Sequence, residues 1–145
     1  MTVYLASPLR NHIANALIAE ELRHCGIPCF LPQDEAYNYS MQEAGDTARH
    51  LAQVVYQNNV AAIDAADTVV VVARGIGTDT AWECGYAVAR NKAVILVHLD
   101  ADSIEHMYML QSAIPSDRHI RLTALTRENL AALVRLIRLG SEDAA

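Results

Sequence analysis

A chain of 145 residues, 52% of them hydrophobic, has the size and composition of one globular domain and not of a disordered segment. Its net charge of −6, with eleven Lys and Arg scattered along the sequence, argues against a DNA or RNA partner, which needs a basic face. The apolar runs at 69–72 and 93–97 fall well short of the ~18 residues of a membrane span, and the first residues carry no charged-then-apolar leader, so a cytoplasmic protein without a membrane partner is expected.

In chain order, Val3-Tyr-Leu-Ala6 is a short apolar run halted by Ser7-Pro8 and reads as a first strand. From Arg10 to Cys25 the positions Ile13, Leu17, Ile18 and Leu22 recur at helical spacing, and Gly26 with Pro28 supplies the stop. Cys29 to Leu31 is a second strand, and the polar, aromatic stretch from Pro32 to about Ser40 reads as a loop. A long helix follows, its start blurred by Gly45 and its end near Ala66, with Leu51, Val55 and Ile63 on one face. Residues 68–73 form a β-branched run of the kind buried on both faces of a parallel sheet. A helix from about Thr80 to Arg90, a strand from Ala93 to Leu99, an irregular segment 101–117 with a short helix near Met107, and a strand Ile120–Leu122 come next. The closing helix carries Leu130, Leu133, Val134 and Ile137, with Gly140 as its cap and a frayed tail 141–145.

Strands alternating with helices imply a single α/β domain over residues 1–140. Five strands fit the flavodoxin-like (Rossmann-like) parallel sheet of order 2-1-3-4-5, with helices on both faces. A ligand then sits at the carboxyl ends of the strands, near the switch between the first and third. That rule selects Tyr4 to Arg10, Arg74 to Glu83, and the loop after Leu99.

Glu83 falls in the first turn of its predicted helix, where a carboxylate faces those strand ends and can attack an electrophilic carbon. Thr80-Ala-Trp-Glu83 also has the spacing of a capping box, so on spacing alone a structural role stays open. Cys84 turns about 100° away along the helix and reads as packing. Cys25, Cys29 and Cys84 are odd in number and lack CxxC spacing, so they read as free thiols. No His or Cys pair stands at ligand spacing, so no metal is expected; His24, His50, His98 and His119 read as structural or solvated. Neither a GxGxxG after a strand nor a P-loop is present, and no nucleotide cofactor is expected.

The segment Gly77-Thr-Asp-Thr-Ala-Trp-Glu-Cys-Gly-Tyr-Ala87, followed by Lys92-Ala-Val-Ile95, resembles the signature of the nucleoside 2-deoxyribosyltransferase family. Tyr4-Leu-Ala-Ser-Pro8 and Ile63-Asp-Ala-Ala-Asp67 match in order. The resemblance implies a flavodoxin-like fold and a cofactor-free enzyme. It makes Glu83 the nucleophile that expels the base from a deoxyribonucleoside and holds a covalent deoxyribosyl intermediate, with the Tyr4 hydroxyl beside it. It also implies a homo-oligomer whose sites are completed by neighbouring subunits, with a nucleoside or nucleotide and a free base as partners.

Two family aspartates are replaced: Asn59 stands eight residues before Asp67, and Gly77 six before Glu83. An asparagine can hold a hydroxyl or a base edge but delivers no proton; Asp79 is the nearby carboxylate that can substitute, or cap the helix. Ser7 and Arg10 stand where hydrolase relatives bind a 5′-phosphate, with Pro8 disturbing the match. Arg118 reads as a surface ion pair, and Met107, Tyr108 and Met109 as a lid or a subunit contact. Base exchange between 2′-deoxyribonucleosides is the leading expectation. Hydrolysis of nucleoside 5′-monophosphates comes second, and a nucleotide-binding domain without turnover third.

Overall fold

The computed structural model describes residues 1–34, 48–99 and 107–142. Its elements are β1 (Val3–Ala6), α1 (His12–His24), β2 (Cys29–Phe30), α2 (Ala48–Ala65), β3 (Thr68–Val72), α3 (Thr78–Ala89), β4 (Ala93–His98), α4 (Tyr108–Ala113), β5 (His119–Arg121) and α5 (Arg127–Glu142). All five strands are parallel, in the order β2-β1-β3-β4-β5. This is the expected doubly wound sheet. Among the described residues, no helix is long and apolar enough to cross a membrane.

The two-residue period of a strand divides the core into two layers. Val3, Leu5, Val70, Val72, Ile95 and Val97 point to one face, where α1 contributes Ile18 and Leu22 and α5 contributes Leu130, Leu133, Val134 and Ile137. Tyr4, Ala6, Val69, Val71, Val94 and Leu96 point to the other, under Ile63 of α2 and Cys84 and Ala87 of α3. Tyr4 therefore belongs to the α2–α3 side of the sheet. Lys92 anchors this layer by donating to the carbonyls of Asp64 (2.6 Å) and Ala66 (2.9 Å) at the end of α2. A cation there complements the orphan carbonyls of a helix C-terminus.

Several local expectations are corrected. Ile13 and Leu17 are 67% and 41% exposed, because α1 turns Asn15, Ile18, Ala19 and Leu22 to the sheet instead. Residues 32–34 are helical rather than loop, with Pro32 at the favoured first helical position; the rest of that loop, 35–40, and Gly45 lie outside the described residues. Helix α5 continues through Gly140 to Glu142. Gly140 therefore lies inside the helix and is not a cap; a Cβ there would collide with the guanidinium of Arg118, which lies against α5. Of the supposed frayed tail, 141 and 142 are helical, and 143–145 lie outside the described residues.

Candidate active site

The carboxyl ends of β1 and β3 open onto a cavity of about 420 Å³, lined by Ser7, Pro8 and Arg10 after β1, Asn59 of α2, and Gly77, Asp79 and Glu83 at the start of α3. Every predicted substrate-binding residue lies on that wall, with the nucleophile candidate among them. A second concavity, of about 590 Å³, lies between α2 and α3 and shares Val55, Asn59, Asp79 and Glu83 with the first. Glu83 thus stands at a seam between two hollows.

Helix α3 begins at Thr78, with Gly77 as its N-cap, two residues earlier than expected. Glu83 therefore lies in the second turn, and Thr80 is inside the helix, so the two cannot form a capping box. The Glu83 carboxylate reaches across the fold instead. Tyr4 Oη donates to Glu83 Oε1 at 2.7 Å, and Asn59 Nδ2 donates to the same oxygen at 3.1 Å. Three residues far apart in sequence converge because β1, α2 and α3 meet on one side of the sheet.

Burial raises the Glu83 pKa above the ordinary glutamate value; the Tyr4 and Asn59 hydrogen bonds oppose that rise, and the nearby charge of Asp79 adds to it. Burial, then the Glu83 charge, also raises the Tyr4 pKa, so this hydroxyl stays a donor. Its ring stacks on Phe30 at 5.6 Å between centroids. Both donors satisfy Oε1, and among the described residues no hydrogen bond falls on Oε2. A carboxylate held by one oxygen, with the other free at a cavity wall, suits attack on a carbon centre.

The remaining site residues are placed as follows. Asn11 Nδ2 donates to Ser7 Oγ at 3.3 Å and to the Arg74 carbonyl at 2.9 Å, tying the β1 loop to the β3 loop. Arg10 lies along Gly75, which has φ +61°; a Cβ there would sit 3.2 Å from Arg10 Cδ. Asp79 is exposed and makes no cap hydrogen bond, since the N-cap is Gly77. Pro8 turns its carbonyl to Asn15 Nδ2 at 3.3 Å.

Sequence reasoning missed Asn15 and Gln33, which line the first cavity and hydrogen-bond to each other at 3.0 Å; no spacing signal marks them. It also missed Tyr56 and Trp82, which line the second. Here a signal existed. Tyr56 is one helical turn before Asn59, and Trp82 sits inside the quoted motif. Cys84 is buried against the sheet, as expected, and burial raises its thiol pKa to about 11. Tyr108 and Met109 are exposed and line neither hollow. His98 and His119, unrelated by sequence spacing, have ring centroids 5.5 Å apart on neighbouring strands. Among the described residues, no cluster of His, Cys, Asp and Glu could hold a metal ion.

Comparison with known proteins agrees with this layout. The 2-deoxyribosyltransferase of the psychrotolerant bacterium Bacillus psychrosaccharolyticus has a similar structure, with TM-score 0.72 and 20% identity over 94% of this chain and 96% of that one. The CMP N-glycosidase of Clostridium botulinum is similar with TM-score 0.57 and 14% identity, over 94% and 99%. At such identities the likeness is one of fold. No curated protein matches the sequence. The profile of the nucleoside 2-deoxyribosyltransferases does match, over residues 3–129, most of the length and all of the residues around Glu83. On that match the chain belongs to the nucleoside 2-deoxyribosyltransferase family of enzymes.

Proposed function

We propose that this enzyme exchanges the base of 2′-deoxyribonucleosides through a deoxyribosyl ester on Glu83. The observation that carries the reading is the Glu83 carboxylate itself, buried at the cavity wall with Tyr4 and Asn59 both on Oε1. In the first step Oε2 forms a bond to the anomeric carbon, and the bond from that carbon to the base nitrogen breaks. The electron pair leaves with the base, which takes up a proton. A second base attacks the same carbon, gives up its proton and restores the free carboxylate. Two inversions retain the anomeric configuration, as in retaining glycosidases.

Each neighbour has a part in this cycle. Tyr4 and Asn59 favour the ionised carboxylate, partly offsetting the pull of burial, and their hydrogen bonds weaken as its charge passes into the ester. Asn59 has no proton to give. In this reading Asp79, which lines both hollows, exchanges the proton with the base. Ser7, Pro8, Arg10 and Gly77 border the sugar.

A second reading, release of free base from nucleoside 5′-monophosphates, is favoured by one observation: Ser7 and Arg10 line the same cavity as Glu83, where a 5′-phosphate could lie. The test incubates the protein with a deoxyribonucleoside panel and an excess of a different free base, beside Glu83→Ala. A new nucleoside made by the wild type alone supports transfer through Glu83. Free base without a new nucleoside, strongest with 5′-monophosphates, supports hydrolysis. Absence of reaction in both panels sinks the enzymatic reading and favours a binding domain.

A further inference from the structure

The hollow between α2 and α3 is unlike the polar cavity beside it. Leu51, Ala52, Val55, Tyr56 and Trp82 supply its wall, and Asn59, Asp79 and Glu83 its polar edge. Its two aromatic rings remain accessible: Tyr56 is 55% and Trp82 46% exposed. They stand 5.5 Å apart between centroids, tilted by 58°. Behind Trp82 lies Tyr86, stacked at 5.2 Å and within 7° of parallel. Tyr86 is itself fixed by hydrogen bonds from its hydroxyl to both Asp64 carboxylate oxygens, at 3.1 and 3.2 Å, and Arg90 bonds the same carboxylate at 2.9 Å. The tryptophan is thus stacked on Tyr86, flanked by Tyr56, and still close to half exposed.

An exposed indole leaves apolar surface in water, and a planar ring is one partner that covers it by offset stacking. Apolar walls with a few convergent polar groups are the usual make-up of a small-molecule seat. The polar groups here suit a heteroaromatic edge, since Asn59 offers both donor and acceptor chemistry and Asp79 accepts. The rim also includes the nucleophile.

We propose that Trp82 and Tyr56 form the nucleobase seat, the incoming base stacking on their exposed aromatic surface with its polar edge toward Asn59 and Asp79. The assignment rests on the N-glycosidic reading above and adds to it which hollow takes the base and which residues set its affinity. The sugar then lies at the seam, its 5′ end toward Ser7 and Arg10. Stacking tolerates any planar base, so the seat confers affinity with broad base scope, and discrimination falls to Asn59 and Asp79.

The chain has one tryptophan, so its emission reports on the seat alone. Adenine and cytosine, titrated as free bases, are expected to change that emission saturably in wild type and in Glu83→Ala. Trp82→Ala is expected to raise KM for the acceptor base roughly ten-fold with kcat nearly unchanged, and Trp82→Phe to recover most of the loss. Tyr56→Ala should weaken the fluorescence response in the same direction. A wild type that turns over while Trp82→Ala keeps its KM overturns the seat and leaves the function standing. Saturable emission changes, lost in Tyr56→Ala, from a protein that cleaves nothing would keep the seat and overturn the function. No change in emission at base concentrations that saturate turnover also overturns the seat.

Discussion

Tyr4 Oη donates to Glu83 Oε1 at 2.7 Å, a buried contact between residues 79 positions apart that joins the first strand of the sheet to α3. The hydrogen bond lowers the Glu83 pKa, against the larger upward pull of burial. Removing it by Tyr4→Phe keeps the ring on Phe30 and takes away only the donor. A hydrogen bond to a charged group is worth about 1.5–3 kcal/mol and strengthens as the carboxylate leaves in the second step, so breakdown of the ester, and kcat where that step limits it, should fall by up to roughly 10- to 100-fold. The acid limb of kcat/KM should move to higher pH, because Glu83 loses a group that favours its charge. An unchanged limb would remove Tyr4 from control of the carboxylate.

Glu83 also sets a stability prediction. Its folded-state pKa is raised, so the folded chain holds this proton more tightly than the unfolded chain. The favourable contribution is complete below the unfolded glutamate value and is lost as pH rises through the folded value. Glu83→Gln keeps an acceptor for Tyr4 and Asn59 while removing the buried charge. Its Tm should exceed that of wild type by a few degrees at about pH 8 and converge with it near about pH 4. Thermal melts at both pH values check this, and equal melting points at the higher value would count against it. Activity should be lost at either.

Asn59→Asp would bring a second carboxylate within hydrogen-bond range of Glu83 Oε1, at the 3.1 Å now spanned by Asn59 Nδ2. Two carboxylates in contact share one proton, raising one of their pKa values strongly. Base release by this variant should gain a descending alkaline limb and move its optimum toward acid. Asn59→Ala should only lower the rate. A pH–rate series on both variants separates the outcomes; matching profiles would mean that Asn59 does not act through Glu83.

Gly140 carries a prediction about packing. Alanine is about 1 kcal/mol better than glycine inside a helix, yet a Cβ at Gly140 meets the Arg118 guanidinium. Gly140→Ala should therefore be neutral to destabilising in the native background and stabilising in Arg118→Ala. Denaturant unfolding of the two single variants and the double variant measures the coupling. Strict additivity would show that the guanidinium gives way freely.

Much of the architecture was legible in the chain. Patterning alone placed five strands and the principal helices, since a buried parallel strand such as Thr68–Val72 needs β-branched side chains on both faces. The switch-point rule then picked out the strand ends that open onto the cavity, and seven of the eight candidate site residues line it. Tyr4, the eighth, lies beneath it on Glu83. What failed was rotational and terminal detail. Ile13 and Leu17 have helical spacing but face outward, because a broad apolar stripe leaves several rotations of α1 open and packing on the sheet chooses among them.

By itself, then, the sequence pointed to the α/β class and the strand order, and the family resemblance pointed to Glu83 as the candidate nucleophile, because periodicity and motifs are local properties. Only the tertiary structure decided what that carboxylate touches. Whether Glu83 caps its own helix or meets Tyr4 and Asn59 depends on where α3 begins and how it leans on β1 and α2. The same crossings created the second hollow and left Trp82 partly exposed beside Glu83. Contacts between residues 24 and 79 positions apart follow from how the elements pack, and no local pattern in the chain encodes them.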